Sequence, residues 1–200
     1  MRDFIERLLA LIILILISPL LLLIALAICL DSPGNPFYSA SRIGKDGRPF
    51  GMWKFRTMVK NASNIGPAVT ANNDPRVLRI GRFLRRAKLD ELPQFFNVLL
   101  GDMSLIGPRP EAPEFVQLYT FEQRQVLAYK PGITGYVQLE SGDESQNIPA
   151  GAQAGEYYVQ NLMAGKLSSD IAYMRNRTAL SDLRILFSTA GYVFRSIARK

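Results

Sequence analysis

Asp90 and Glu91 are adjacent carboxylates placed directly after a run of cations, Arg85-Arg-Ala-Lys-Leu-Asp-Glu-Leu-Pro-Gln94. Leu92, Phe95, Phe96, Leu99 and Leu100 repeat at helical spacing, which predicts a helix over 90–100. Asp90 would be its N-cap and Gly101 its stop. A helix N-terminus favours anions, and arginines add charge-assisted donors for phosphate. Both effects predict a lowered Asp90 pKa and an ionised side chain. An ionised carboxylate beside an anion site is suited to attack phosphorus and form an acyl phosphate. Neighbouring helical residues point about 100° apart, so the pair should divide two tasks. One would be the nucleophile and the other would hold a hard divalent cation, Mg²⁺ by default. The competing reading makes Asp90 a cap and Glu91 a complement to the dipole, with no chemistry.

Ile106-Gly-Pro-Arg109-Pro110 is a rigid turn that either braces the chain or holds one guanidinium in a fixed pose for phosphate. Trp53-Lys-Phe-Arg-Thr-Met58 alternates aromatic with basic residues, and a strand would put the two sets on opposite faces. Such alternation can stack nucleic acid bases, but beside a membrane anchor it points to lipid headgroup or nucleotide phosphate instead.

Other chemistries are excluded. The chain has no histidine and one cysteine, so it offers no Ser-His-Asp or Cys-His nucleophile, no intrachain disulfide and no Cys- or His-based zinc site. Neither the Walker nor the Rossmann glycine pattern occurs, and there is no Asp-x-Asp pair. Adjacent carboxylates do not readily flank one glycosidic bond at the separation of about 5–9 Å that its hydrolysis needs.

The elements that must position these residues are legible in outline. Phe37–Ile43 and Pro49–Met58 read as strands of a hairpin joined by Gly44-Lys-Asp-Gly-Arg48. Asn61–Asp74 reads as a loop. Arg76–Lys88 reads as a helix with Arg79, Arg82 and Arg86 on one stripe. Residues 111–129 read as helical, 131–135 as a turn, Tyr136–Leu139 as a short strand and 140–155 as a loop. A last amphipathic helix begins near Ser181. It fits an interfacial helix and a core-packing helix equally well.

Charge and hydropathy divide the 200 residues into three parts. Leu8–Leu30 is a 23-residue block with no charge. As a helix it would be about 35 Å long, enough to span a hydrocarbon core. Ser18-Pro19 near its middle predicts a kink. That leaves a kinked spanning helix or a re-entrant hairpin. Residues 42–90 carry a net +9, with 12 Lys and Arg against three Asp, and the remainder is near neutral. The positive-inside rule puts the body in the cytoplasm in either case.

Together these motifs resemble the bacterial sugar transferase family, the small monotopic polyprenyl-phosphate phosphoglycosyl transferases. The matching residues are Ser18-Pro19 in the apolar block, Trp53–Met58, Ile80-Gly-Arg-Phe-Leu-Arg85, Leu89–Ser104 and Ile106–Pro110. Lys130-Pro-Gly-Ile-Thr-Gly135, Asp170, Tyr173, Asn176 and Asp182–Leu186 match as well. The resemblance implies transfer of a sugar 1-phosphate from a UDP-sugar to undecaprenyl phosphate, with release of UMP, at the start of surface glycan assembly. It implies that Asp90 is the nucleophile and carries a phosphosugar intermediate, that Glu91 is the Mg²⁺ ligand, and that Arg56, Arg85 and Arg109 hold phosphates. It implies an α+β, mostly helical monotopic fold, with residues 1–30 as a re-entrant helix-break-helix at Ser18 and Pro19. Residues 31–200 would form a membrane-associated catalytic domain with a small β-hairpin and interfacial amphipathic helices. The expected location is the cytoplasmic face of the bacterial inner membrane. The expected partners are membrane lipid and the two substrates, without nucleic acid, and self-association is left open. The chain departs from the family after Leu139, where members carry Gly-Arg and this chain has the acidic stretch Glu140–Gln146. Arg175 or Arg177 is the candidate replacement. A non-catalytic, membrane-anchored basic module is the alternative. It accounts for the anchor and the +9 section but not for carboxylates placed after the cations.

Overall fold

A computed structural model describes residues 2–62, 74–140 and 153–198. The chain is mostly helical with two small sheets. The apolar block lies in one element, α1 (Arg2–Asp31), which carries Pro19 inside it. Among the described residues α1 is the one helix long and apolar enough to cross a membrane. The expected break at Ser18-Pro19 does not divide it into two helices. Proline at 19 removes the amide that would have bonded the Ile15 carbonyl, four residues back. The Ser18 hydroxyl donates to that carbonyl at 2.8 Å. The serine thus restores the partner that the proline takes away.

One stripe of α1 faces the body. Leu14, Leu21, Ile24 and Ile28 pack with Phe55 and Leu84, while Ala10 packs with Ala40, Met52, Val98 and Met103. Its other face is exposed and apolar along its length, from Phe4 to Leu30. Both ends of α1 are tied to the body. At the start, Arg2 donates to Asp182, Lys130 to Asp3, and the Ser104 hydroxyl and Leu105 amide to Glu6. At the end, the Ile80 amide donates to Asp31 at 3.3 Å.

Strands β1 (Phe37–Ile43) and β2 (Pro49–Phe55) form the expected antiparallel hairpin, with Phe37 opposite Phe55. Asp46 and Gly47 take the left-handed conformations of its turn. Strand β2 ends at Phe55 rather than Met58, which makes an isolated bridge to Val77. The next helix, α2, is Arg79–Arg86, shorter than the 76–88 expected. Helix α3 is Gln94–Leu100, preceded by a 3₁₀ turn at Leu89–Glu91.

The two glycine- and proline-rich motifs form a unit that their turn chemistry does not announce. Strand β3 (Ser104–Ile106) pairs in parallel with β4 (Gly132–Thr134). A Cβ on Gly107 would strike the Lys130 carbonyl, one on Gly132 the Gly107 amide, and one on Gly135 the Gly107 carbonyl. Glycine is required because backbone packs directly on backbone. The turn that carries Arg109 is therefore set by residues 130–135.

The expected continuous helix at 111–129 is instead a short α4 (Pro113–Val116) and a 3₁₀ segment, Gln123–Ala128. Tyr136–Glu140 is a helix, α5, not a strand. Most of the expected loops at 61–74 and 140–155 lie outside the described residues. Helix α6 (Ala154–Tyr157) runs through a π-helical stretch, Tyr158–Leu162, into α7 (Met163–Asn176). A second core, with Val116, Tyr119, Val126, Tyr158, Met163 and Leu167, lies under α7. Helix α8 is Ala179–Ala198. Asp182 at its start accepts from Tyr173 at 2.6 Å, from Arg177 at 2.7 Å and from Arg2 at 3.1 Å. These bonds join α7, α8 and the beginning of α1. Ile185 of α8 is buried while Phe187 and Phe194 are each 74% exposed. The helix both packs on the body and presents an apolar outer face.

Candidate active site

Asp90 and Glu91 lie in the 3₁₀ turn before α3, not at the N-cap of a long helix. Lys88 opens that turn in the left-handed conformation. The two side chains meet different surroundings. Glu91 accepts from Lys54 Nζ at 2.9 Å and from Arg109 Nη2 at 2.8 Å, both on Oε1. Its Oε2 has a longer contact with Arg109 Nη1 at 3.5 Å. These cations hold the Glu91 carboxyl well below the ordinary range despite its burial.

Asp90 is 7% exposed. Its pKa is raised, where the sequence predicts a lowered one. Burial is the leading cause; Lys54, Lys88 and Arg85 pull the other way and the charge on Glu91 adds to the rise. The expectation failed because removal from water outweighs the attraction of cations that are near but not bonded. The outcome still separates the two carboxylates. Glu91 is firmly anionic, and Asp90 is the more basic oxygen. Pairs pushed apart in this way carry distinct acid-base roles.

The structure brings Arg85 and Arg109 to this pair. Arg85 Nε donates to Thr57 Oγ1 at 2.8 Å, which orients its guanidinium from a buried threonine. Arg56 is turned elsewhere. It is buried, and its Nη atoms donate to the carbonyls of Ser32 and Pro33 just after α1. Its two bonded donors thus serve the end of α1. Arg175 donates to Gln125 and Arg177 to Asp182. The Glu140–Gln146 stretch lies, after Glu140, outside the described residues.

Two site residues were not singled out from the sequence. Lys54 of β2 reaches Glu91, 37 positions away. Lys88 stands beside Glu91 in the lining of one cavity. Asn97 supports Lys54 from behind. It is fully buried, accepts from the Trp53 amide at 2.9 Å and donates to the Gly51 carbonyl at 2.8 Å. Its side-chain amide thereby bonds β2 as a further strand would, and sets Lys54 against the turn that carries Glu91.

Among the described residues no group of three or more acidic, His or Cys side chains gathers as a metal cage. One carboxylate with a lightly engaged oxygen does fit an ion that takes its other ligands from water and substrate phosphate, as Mg²⁺ commonly does.

A family model described as bacterial sugar transferase matches residues 1–196. The chain belongs to the bacterial sugar transferase family. Among its relatives is the UDP-glucose:undecaprenyl-phosphate glucose-1-phosphate transferase of Escherichia coli K12. The two are 39% identical over 199 residues, 96% of this chain and 39% of the relative. The UDP-N-acetylgalactosamine-undecaprenyl-phosphate N-acetylgalactosaminephosphotransferase of Aeromonas hydrophila is 38% identical over 180 residues, 87% of this chain and 39% of that protein. The chain thus spans well under half the length of these two relatives. The exopolysaccharide production protein PSS of Rhizobium leguminosarum bv. phaseoli is 38% identical over 183 residues and is covered over 86% of its length.

Proposed function

We propose that this chain transfers a sugar 1-phosphate from a UDP-sugar to undecaprenyl phosphate in two displacements at Asp90. A carboxylate oxygen of Asp90 attacks the phosphorus that bears the sugar. The bond from that phosphorus to the bridging oxygen breaks, and UMP leaves with the electron pair. A phosphate oxygen of the lipid then attacks the same phosphorus and restores the Asp90 carboxylate. The product is a polyprenyl diphosphate sugar, which begins a surface glycan.

The observation that carries this reading is the division between a firmly anionic Glu91, bridged by Lys54 and Arg109, and a buried, more basic Asp90. A more basic carboxylate is the better nucleophile once deprotonated. Arg85, Arg109 and Lys88 offset the charge of two phosphate-bearing substrates around it. Glu91 Oε2 would hold Mg²⁺, which supplies charge neutralisation on the donor diphosphate. Arg56 belongs to this proposal only as a support at the end of α1.

The same reading includes a monotopic placement on the cytoplasmic face of the inner membrane, with α1 entering and leaving one leaflet. The ties at both ends of α1 support it. With both ends of α1 held to one body, this reading keeps its start and its end on the same side of the bilayer.

Release of UMP from a panel of UDP-sugars tests catalysis and names the donor. Donor alone should leave a phosphosugar adduct on Asp90 by intact mass, and labelled UMP should exchange into the donor without lipid. An active Asp90→Asn variant with no adduct on the wild type would refute the covalent route. Cysteines placed at positions 3 and 45 should be alkylated from the same side of the membrane; labelling of position 3 from the opposite side would exclude the re-entrant arrangement.

A further inference from the structure

A cavity of about 550 Å³ lies between α3, the segment from β4 to α5, and α8. Its charged lining is Lys88, Glu91 and Arg109; its walls are largely apolar, with Leu92 and Phe95 from one side and Val193 from α8. Two hydroxyls in the lining are already spoken for. Thr134 Oγ1 and Thr189 Oγ1 meet at 2.7 Å, and Thr189 donates onward to the Ile185 carbonyl at 2.8 Å. Those two hydroxyls make no further demand; among the described residues, Gln138 Nε2, buried without a partner, is the one side-chain amide donor in the lining. Phe194 lines the cavity and is also 74% exposed, so this wall continues into the apolar outer face of α8.

We propose that this cavity holds the first isoprenoid units of the lipid acceptor, with the acceptor phosphate against Lys88 and Arg109. The inference rests on the transferase reading and adds a place for one of its two substrates. The cavity matches an amphiphile: one anionic head, then hydrocarbon. It does not match the donor, whose ribose, base and sugar would leave many polar groups without partners against such walls. Its size is ordinary for a small-molecule site, so it takes the part of a long polyprenyl chain next to the phosphate. The remainder follows Phe194 to the outer face of α8.

The test uses the full chain in nanodiscs with undecaprenyl phosphate and the UDP-sugar that it turns over. Val193→Trp fills the cavity from α8. It should raise KM for the lipid about tenfold, on the scale of a lost apolar pocket contact, and leave KM for the UDP-sugar unchanged. Ser188→Trp, exposed on the same helix, outside the cavity and about 120° round from Phe194, should change neither. A folded Val193→Trp protein with the wild-type lipid KM would overturn the assignment. A second arm does not depend on that variant folding or on turnover. A polyprenyl phosphate with a diazirine on its first isoprene unit should label α8, Leu92 or Phe95, and excess undecaprenyl phosphate should compete. Labels confined to the outer face of α1, or cross-links between two copies of the chain, would overturn the assignment. Wild-type protein that releases no UMP from any UDP-sugar, yet is labelled in the cavity, would fail the transferase reading and keep the lipid site.

Discussion

The Trp53 amide donates to Asn97 Oδ1 at 2.9 Å, so a helix side chain takes the place of a neighbouring strand on β2. The Gly51 carbonyl accepts from the same side-chain amide. Asn97→Ala should leave two backbone groups without partners inside the protein, at a cost of about 2–4 kcal/mol. A clear fall in Tm by circular dichroism is expected. Donor turnover should fall with it, because Lys54 follows Trp53 and is set on Glu91 through this bond.

Arg109 grips Glu91 through two nitrogens, at 2.8 and 3.5 Å. Arg109→Lys keeps the charge and loses the fork. The expected result is a fall in kcat/KM of about a hundredfold, the scale of one lost electrostatic donor, with little change in Tm. Wild-type kinetics in the lysine variant would show that charge alone suffices.

The raised pKa of Asp90 has a kinetic signature. Its attacking form is the anion, so kcat/KM for the donor should fall as pH drops through the raised value. The acid limb should therefore lie above 3.8, the ordinary aspartate value. A limb below that value, in a protein still folded, would contradict the burial argument.

Glu111 stands two residues after Arg109 and pairs with buried Lys166 at 2.5 Å; Tyr158 also donates to it. Lys166 leads the influences that hold its carboxyl below 4.5 despite burial. A lowered acid contributes stability that is complete above its unfolded value and lost as pH falls through the folded one. Glu111→Gln should therefore lower Tm at neutral pH by an amount that stays constant down to about pH 5. The gap should close below 4.5. Glu111→Ala, which leaves the Lys166 ammonium without its carboxylate, should cost about 3–5 kcal/mol.

Gly132→Ala drives a methyl group into the Gly107 amide. Backbone cannot yield there without opening the β3–β4 pair, so the variant should lose the Arg109 turn. The expected outcome is loss of activity together with new protease cuts near residues 107 and 132.

The sequence by itself determined what depends on near neighbours. The apolar block, the hairpin with Asp46-Gly47 in its turn, and the adjacency of Asp90 and Glu91 behind their cations all follow from residues a few positions apart. Local periodicity and turn chemistry act over that range. The same local rules missed where distant backbone intervenes: 131–135 read as a turn, yet Gly132–Thr134 is a strand because β3 lies beside it. The direction of the Asp90 pKa differs from the sequence expectation for a related reason. Cations nearby in sequence were visible, but the burial that outweighs them was not. Tertiary structure alone brought Lys54 to Glu91, turned Arg56 to the end of α1, tied both ends of α1 to the body and enclosed a cavity beside the carboxylates. Those outcomes depend on which surfaces leave water together, and that is decided by packing across the whole chain.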